Sequence, residues 1–183
     1  GPIADFTNST PLCVNKPVQL NGTPTAGNYN LNGYLWTFAD NSTANTLNTI
    51  KTFATGGNQS IRFRVYADNG CVGDTTKTID IQPAPSSSFT IGGNICAKDS
   101  VLLTNTSTIS AGTIGQWIWN YGDGPSEIRT TGTPFYHVYS LPGTYAVWMT
   151  AVSAGGCSID TARQSVTVYD RPVASFIYNR SIC

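Results

Sequence analysis

The sequence predicts an all-β chain built as two antiparallel β-sandwiches in tandem, and two observations carry that reading. The first is internal repetition, the mark of a modular array. YLWTFADN at 34–41 lies over WIWNYGDG at 117–124 with a shift of 83, which also carries Cys13 onto Cys96 and Phe6 onto Phe89. KTFATGG (51–57) matches HVYSLPG (137–143) at a shift of 86, as CVGDTT (71–76) matches CSIDTA (157–162). IDIQPAPSSSF (79–89) matches VTVYDRPVASF (166–176) at a shift of 87. The shift grows where one loop gains three residues, and the expected divisions are 1–83, 84–170 and a remnant at 171–183.

The second observation is periodicity. Apolar residues alternate in Tyr34, Trp36, Phe38, in Ile61, Phe63, Val65, and in Tyr145, Val147, Met149, Ala151. Period two belongs to half-buried strands, and the Thr, Asn, Ser, Gly and Pro between these runs favour turns and disfavour helices. In the second repeat the strands are expected at 87–91, 100–106, 115–121, 134–139, 144–152 and 162–169, and the first repeat follows by subtraction. Trp117, Trp119 and Tyr121 share one parity and are expected in the core, as are Tyr34, Trp36 and Phe38. Their rings suit a small sandwich that must bury much apolar surface with few residues.

Composition excludes several classes. Ten basic and ten acidic side chains in 183 residues leave no net charge, and thus no electrostatic footprint for a phosphate backbone. No apolar run reaches the ~18–20 residues of a membrane span, and the first residues lack the basic-then-apolar order of a signal peptide. Gly1-Pro2 has the form that a cleaved purification tag leaves, so the chain is expected to be an excised fragment. Catalysis is hard to assemble when His137 is the sole histidine and Glu127 the sole glutamate. Nothing matches a nucleophile elbow, and no aspartate pair recurs in a setting that suggests glycoside chemistry. No Gly-rich phosphate loop occurs, so no nucleotide cofactor is expected.

WNYGDG at 119–124, followed by YHVYSLPGTYAVWMTAV at 136–152, resembles the PKD domain. That domain is an Ig-like sandwich with a WDFGDG-type strand end and a later HxYxxPGxYxVxL strand. The second repeat fits this signature. The first keeps the aromatics of WTFADN (36–41) but replaces both glycines, and Gly56-Gly57 stands in place of the Pro-Gly turn, so it is PKD-like only. The resemblance implies two tandem Ig-like/PKD-like sandwiches in an extracellular or cell-surface setting rather than any particular reaction. Within the motif, the Gly122-Asp123-Gly124 turn lets the backbone reverse where side chains would clash, and Asp123 is expected to accept hydrogen bonds from its own turn. Calcium is the alternative for Asp123, but one carboxylate falls far short of the six to eight oxygens this ion takes.

Each repeat has one early and one late cysteine, so Cys13 is expected to pair with Cys71 and Cys96 with Cys157, one disulfide per sandwich. Each loop of about 60 residues would stabilise by roughly 4 kcal/mol in chain-entropy terms. Metal ligation is disfavoured, since the chain has no CxxC and one histidine. PVASFIYNRSIC aligns with PIADFTNSTPLC and PSSSFTIGGNIC, so residues 172–183 are expected to be the first strand of a third repeat, with Cys183 unpaired.

Two surface features stand apart. Trp148 has the opposite parity to its apolar neighbours and should face outward, where Arg62 stands in the first repeat. With Ile118 on the adjacent strand it forms either an apolar platform for a sugar or protein, or a surface covered by a loop or the adjoining repeat. Asp74-Thr75-Thr76, Asp99-Ser100-Val101 and Asp160-Thr161-Ala162 resemble the sequon for O-glycosylation of exported Bacteroidetes proteins, which makes Thr75, Ser100 and Thr161 candidates. Chance or an Asx-type turn is the alternative. Asn-x-Ser/Thr sequons at Asn8, Asn21, Asn41, Asn58, Asn105 and Asn179 matter only in a eukaryotic host.

The joints Gln82-Pro83-Ala84-Pro85 and Asp170-Arg171-Pro172 are short and Pro-containing, hence stiff. The PKD resemblance implies a stalk or adhesive segment of a large bacterial surface protein, such as a type IX-exported adhesin or gliding-associated protein of the Bacteroidetes. The expected partners are neighbouring repeats of the same chain and a surface polysaccharide or protein ligand, with no cofactor, nucleic acid or membrane insertion. The alternative is an accessory or carbohydrate-binding module of a secreted polysaccharide- or protein-degrading enzyme.

Overall fold

The computed structural model describes residues 1–177. Every regular element among them is a strand. The first repeat contributes β1 (Phe6–Asn8), β2 (Pro17–Gly22), β3 (Leu31–Phe38), β4 (Thr43–Ala44), β5 (Asn48–Thr52), β6 (Gly57–Ala67) and β7 (Val72–Ile81). The second contributes β8 (Phe89–Ile91), β9 (Ile95–Cys96), β10 (Ser100–Asn105), β11 (Ile114–Asn120), β12 (Glu127–Arg129), β13 (Phe135–Val138), β14 (Gly143–Ser153) and β15 (Ala162–Tyr169). The six strands expected in the second repeat are all present, with ends displaced by at most two residues. The short strands β9 and β12 are additions.

The sheets repeat one topology. In the first repeat β1-β2-β5 forms one sheet and β4-β3-β6-β7 the other; in the second the sheets are β8-β10-β13 and β12-β11-β14-β15-β9. Every pairing in the registers is antiparallel except β15 with β9. Alternation along β6, where Ile61, Phe63 and Val65 are buried and Arg62 is exposed, matches the pleat of a strand with one wet face.

Contacts divide the chain into two compact units. One takes in Gly1–Ser86 with Thr108–Gln116 and Ala151–Asp160; the other takes in Ser87–Ser107, Trp117–Thr150 and the residues from Thr161 onward. In the first unit Phe6, Val18, Leu20, Trp36, Phe63 and Ile81 form the core, with Tyr34 partly buried against it. Trp36 stacks on Phe63 at 4.1 Å and meets Phe6 edge-on at 5.1 Å. Its indole N–H donates to the Thr46 carbonyl at 2.8 Å, so the ring is buried with its one polar atom satisfied. In the second unit Trp119 takes the same place, edge-on to Phe89 at 5.0 Å, and Trp117 and Tyr121 are buried beside it.

The disulfide differs from expectation. Cys13 bonds Cys157, 144 residues away and within the same compact unit, while Cys71 and Cys96 are free. The expected pairs Cys13–Cys71 and Cys96–Cys157 are therefore corrected. Cys13 bridges Gln82, just beyond the last residue of β7, whereas Cys71 precedes the first residue of that strand. Ten residues of strand span about 33 Å, and a disulfide needs its Cα atoms within roughly 7 Å. Cys96 likewise pairs with Tyr169 at the end of β15, and Cys157 precedes the start of β15. Residues 171–177 carry no strand, and Val173, Phe176 and Ile177 are exposed. Cys183 lies outside the described residues.

Candidate functional site

The conspicuous motif of the chain gathers several titratable side chains in one place, among them its sole histidine and sole glutamate. β11 ends at Asn120, and Gly122 follows with φ +87°, in the left-handed region that favours glycine. A Cβ there would stand 2.9 Å from the Ala146 carbonyl oxygen. Asn120 shapes the turn, accepting from Gly122 N–H at 3.0 Å and donating to the Gly124 carbonyl at 3.1 Å. Asp123 is thereby free for a different partner than its own turn: its Oδ2 lies 2.8 Å from His137 Nε2.

His137 is packed as tightly as it is paired. Its ring stacks on Tyr121 at 4.1 Å and meets Tyr139 edge-on at 4.7 Å, and Tyr139 stacks on Tyr145 at 4.2 Å. The Tyr121 hydroxyl donates to Glu127 Oε2 at 2.8 Å, and Arg129 donates to the other carboxylate oxygen at 2.9 Å while lying 3.7 Å over the Phe135 ring. Burial, then the Glu127 carboxylate, pushes the Tyr121 phenol well above its ordinary value; burial, then Asp123, does the same for Tyr139. Both phenols are thus neutral donors over the physiological range. The sole histidine and sole glutamate are each engaged in joining strands. Among the described residues no group of three or more His, Cys, Asp or Glu is placed to hold a metal ion.

The outer face of the β12-β11-β14-β15 sheet holds the other candidates. Trp148 is half-buried and sits opposite Arg163, and Ile118 is half-buried opposite Ile128. β11 and β14 are hydrogen-bonded neighbours, so the two residues lie on adjacent strands with their apolar parity partners, Trp119 and Met149, facing the core. Ile128, 60% exposed, extends this face. Sequence reasoning missed it because β12 is three residues long, too short to show a period. In the first repeat Arg62 stands opposite Thr76 and binds Asp74, so the equivalent surface is charged.

The O-glycosylation candidates separate in space. Thr75 pairs with the buried Phe63 and is itself half-buried, while Thr161 is exposed with its hydroxyl 2.7 Å from that of Thr150. They were expected to be equivalent, but Phe63 opposes Thr75 whereas its counterpart Met149 opposes Ala162. The strand register is one residue out of step with the sequence match, and one residue moves a side chain to the other face. Ser100 is exposed. The aspartates before two candidates are tied down, Asp74 to Arg62 and Arg64, Asp99 to Arg171.

Two repeats of one sandwich, each holding its strands with an aromatic core and bracing its rim with polar pairs, define a tandem Ig-like β-sandwich protein. The chain belongs to the PKD domain family, which matches it twice, at residues 1–83 and 82–168. Among solved structures, the fibronectin(III)-like modules of Clostridium thermocellum CbhA share the fold at 12% identity, with 96% of this chain and 100% of that chain covered and a TM-score of 0.51. The PKD1 domain of the Vibrio cholerae metalloprotease PrtV is 29% identical over 47% of this chain and 98% of that one, with a TM-score of 0.40. A structure of carbohydrate-binding modules of the β-sandwich superfamily is 27% identical over 48% of this chain; the match spans 35% of that chain, at a TM-score of 0.45. No curated protein matches the chain.

Proposed function

We propose that this chain is a non-catalytic spacer, a segment of a stalk or adhesin at a bacterial surface or in the secreted medium. The observation that supports the reading is the Cys13–Cys157 bond, which joins a cysteine of one repeat to a cysteine of the other across 144 residues of chain. Pulling on the two ends of the polypeptide passes load through the sulfur–sulfur bond, so the residues between the cysteines cannot be drawn out while it is intact. That property suits a tensile element, and a persistent disulfide suits an oxidising, extracytoplasmic compartment. Fold alone does not decide function, so the role is argued from this bond and not from family membership.

Single-molecule stretching tests the proposal. With the disulfide intact the chain should yield only its terminal segments. Reduction should release a further length of roughly 500 Å, at about 3.6 Å per residue. Full release at low force without reductant would sink the spacer reading.

The apolar outer face at Trp148, Ile118 and Ile128 favours a second reading, contact with a polysaccharide or protein ligand, as in an adhesive segment or an accessory module of a secreted degradative enzyme. A titration of polysaccharides followed by tryptophan fluorescence checks it. The signal should move on binding and be lost in Trp148→Ala; a Trp148→Ala variant that keeps all binding removes this face from consideration.

A further inference from the structure

The free cysteines repeat the turn hydrogen bonds and the positive-φ positions of the two that are bonded. Cys13 bridges Gln82, Val14 N–H donates to the Gln82 carbonyl at 3.0 Å, and Lys16 N–H donates back to the Cys13 carbonyl at 3.3 Å. Cys96 pairs with Tyr169 in the same parallel sense, Ala97 N–H donates to the Tyr169 carbonyl at 2.8 Å, and Asp99 N–H donates back to Cys96 at 3.0 Å. Two residues on, Asn15 and Lys98 both adopt positive φ, 56° and 70°. The late cysteines match as closely. Ala67 N–H donates to the Cys71 carbonyl and Ser153 N–H to the Cys157 carbonyl, each at 2.9 Å, and the preceding residues Gly70 and Gly156 both have φ +83°. Burial distinguishes them: Cys13 and Cys157 are buried, and Cys71 and Cys96 are half-exposed.

One early cysteine and one late cysteine, in these two frames, already form a bond in this molecule. We propose that Cys96 and Cys71 are the open halves of the same connection: Cys96 takes the late-cysteine turn of another PKD repeat, and Cys71 takes the early-cysteine turn of another. The partner is defined by its chemistry, a thiol held in the complementary turn, and two sources can supply it: a second copy of this chain or a further repeat joined to it covalently. The inference stands on the cysteine frames and does not depend on the spacer reading.

Bond formation is thiol–disulfide exchange with a small-molecule disulfide such as oxidised glutathione. The Cys96 thiolate attacks one sulfur and expels a glutathione thiolate. The Cys71 thiolate of the partner then attacks the Cys96 sulfur of the mixed disulfide and expels the second. Two protein thiols thereby lose two electrons and two protons, and one glutathione disulfide becomes two thiols.

The test uses the full chain carrying Cys183→Ser, so that the last cysteine takes no part. Oxidised with glutathione disulfide, it should give a ladder of covalent multimers on non-reducing gels, with Cys71–Cys96 as the cross-linked peptide. Adding Cys71→Ser or Cys96→Ser should abolish the ladder, and an equimolar mixture of those two variants should stop at a dimer. For the second source, a copy of the chain from Pro2 onward is fused after Arg171, which sets Cys96 and the new Cys71 close to the 144-residue separation of the observed bond. At high dilution this longer chain should form the bond internally. Either positive arm supports the inference and names the source. Cys71–Cys71 or Cys96–Cys96 as the main product, a Cys71–Cys96 bond inside one single-length chain, or no cross-link in both arms overturns it.

Discussion

The Tyr139 hydroxyl donates a 2.9 Å hydrogen bond to the main-chain carbonyl of Tyr121, and the Tyr139 side chain is fully buried. The bond fastens the residue just past β13 to the chain as it leaves β11, immediately before the Gly122-Asp123-Gly124 turn. Tyr139→Phe keeps the ring and its stacking on Tyr145 but leaves a buried carbonyl without this donor. A loss of about 1–3 kcal/mol is expected, read as a lower urea midpoint at unchanged slope. An unaltered midpoint would show that the carbonyl finds another partner.

Alkaline pH acts on the same cluster. Burial raises the Tyr121 and Tyr139 phenols, with Glu127 and Asp123 adding to the effect. A group whose folded value is raised contributes stability that is complete below the unfolded value and is lost above it. For tyrosine the unfolded value is about 10, so stability should hold to about pH 10 and fall above it, because the unfolded chain releases protons that the folded chain keeps. Spectrophotometric titration at alkaline pH should show the Tyr121 and Tyr139 phenols ionising in a cooperative step that arrives with unfolding. An absorbance change with no step at the unfolding transition would contradict this.

The turn itself is sensitive to one methyl group. Gly122→Ala places a side chain at φ +87° and drives its Cβ to 2.9 Å from the Ala146 oxygen, which belongs to β14 and cannot step aside. The expected cost is about 1–3 kcal/mol, more than the few tenths typical of an exposed substitution. Gly124→Ala, where nothing lies within 4 Å of the added carbon, is the control and should be close to neutral.

The strands were legible because burial imposes period two, and Trp36, Trp119 and their parity mates are large enough to make that period plain. The sandwich followed from the same signal. The disulfide was not legible, because alternation reports which face a residue takes and not which end of a strand it occupies. Cys13 and Cys71 are early and late in the sequence, yet they lie at opposite ends of β7. The false equivalence of Thr75 and Thr161 has a related cause: identical residues at a shift of 86 concealed a strand register of 87, and the difference of one flips the face. The bond between Asp123 and His137 escaped for want of any local signal, since the two residues meet only when β13 folds back beside the end of β11.

The disulfide correction is itself open to test by comparing two serine variants. Cys157→Ser breaks the Cys13–Cys157 bond and frees a loop spanning 144 residues of chain. Chain-entropy arithmetic puts the loss at about 5 kcal/mol as an upper value, lessened by whatever structure the reduced, unfolded chain retains. Cys71→Ser removes a free, half-exposed thiol and should change stability by less than about 0.5 kcal/mol. If the pairs were instead Cys13–Cys71 and Cys96–Cys157, each variant would break one bond and both would lose about 4 kcal/mol. Denaturant unfolding of both variants beside the parent chain, each carrying Cys183→Ser and handled without reductant, separates the alternatives, and the same samples treated with reductant should bring the parent down to the stability of Cys157→Ser while leaving that variant unmoved.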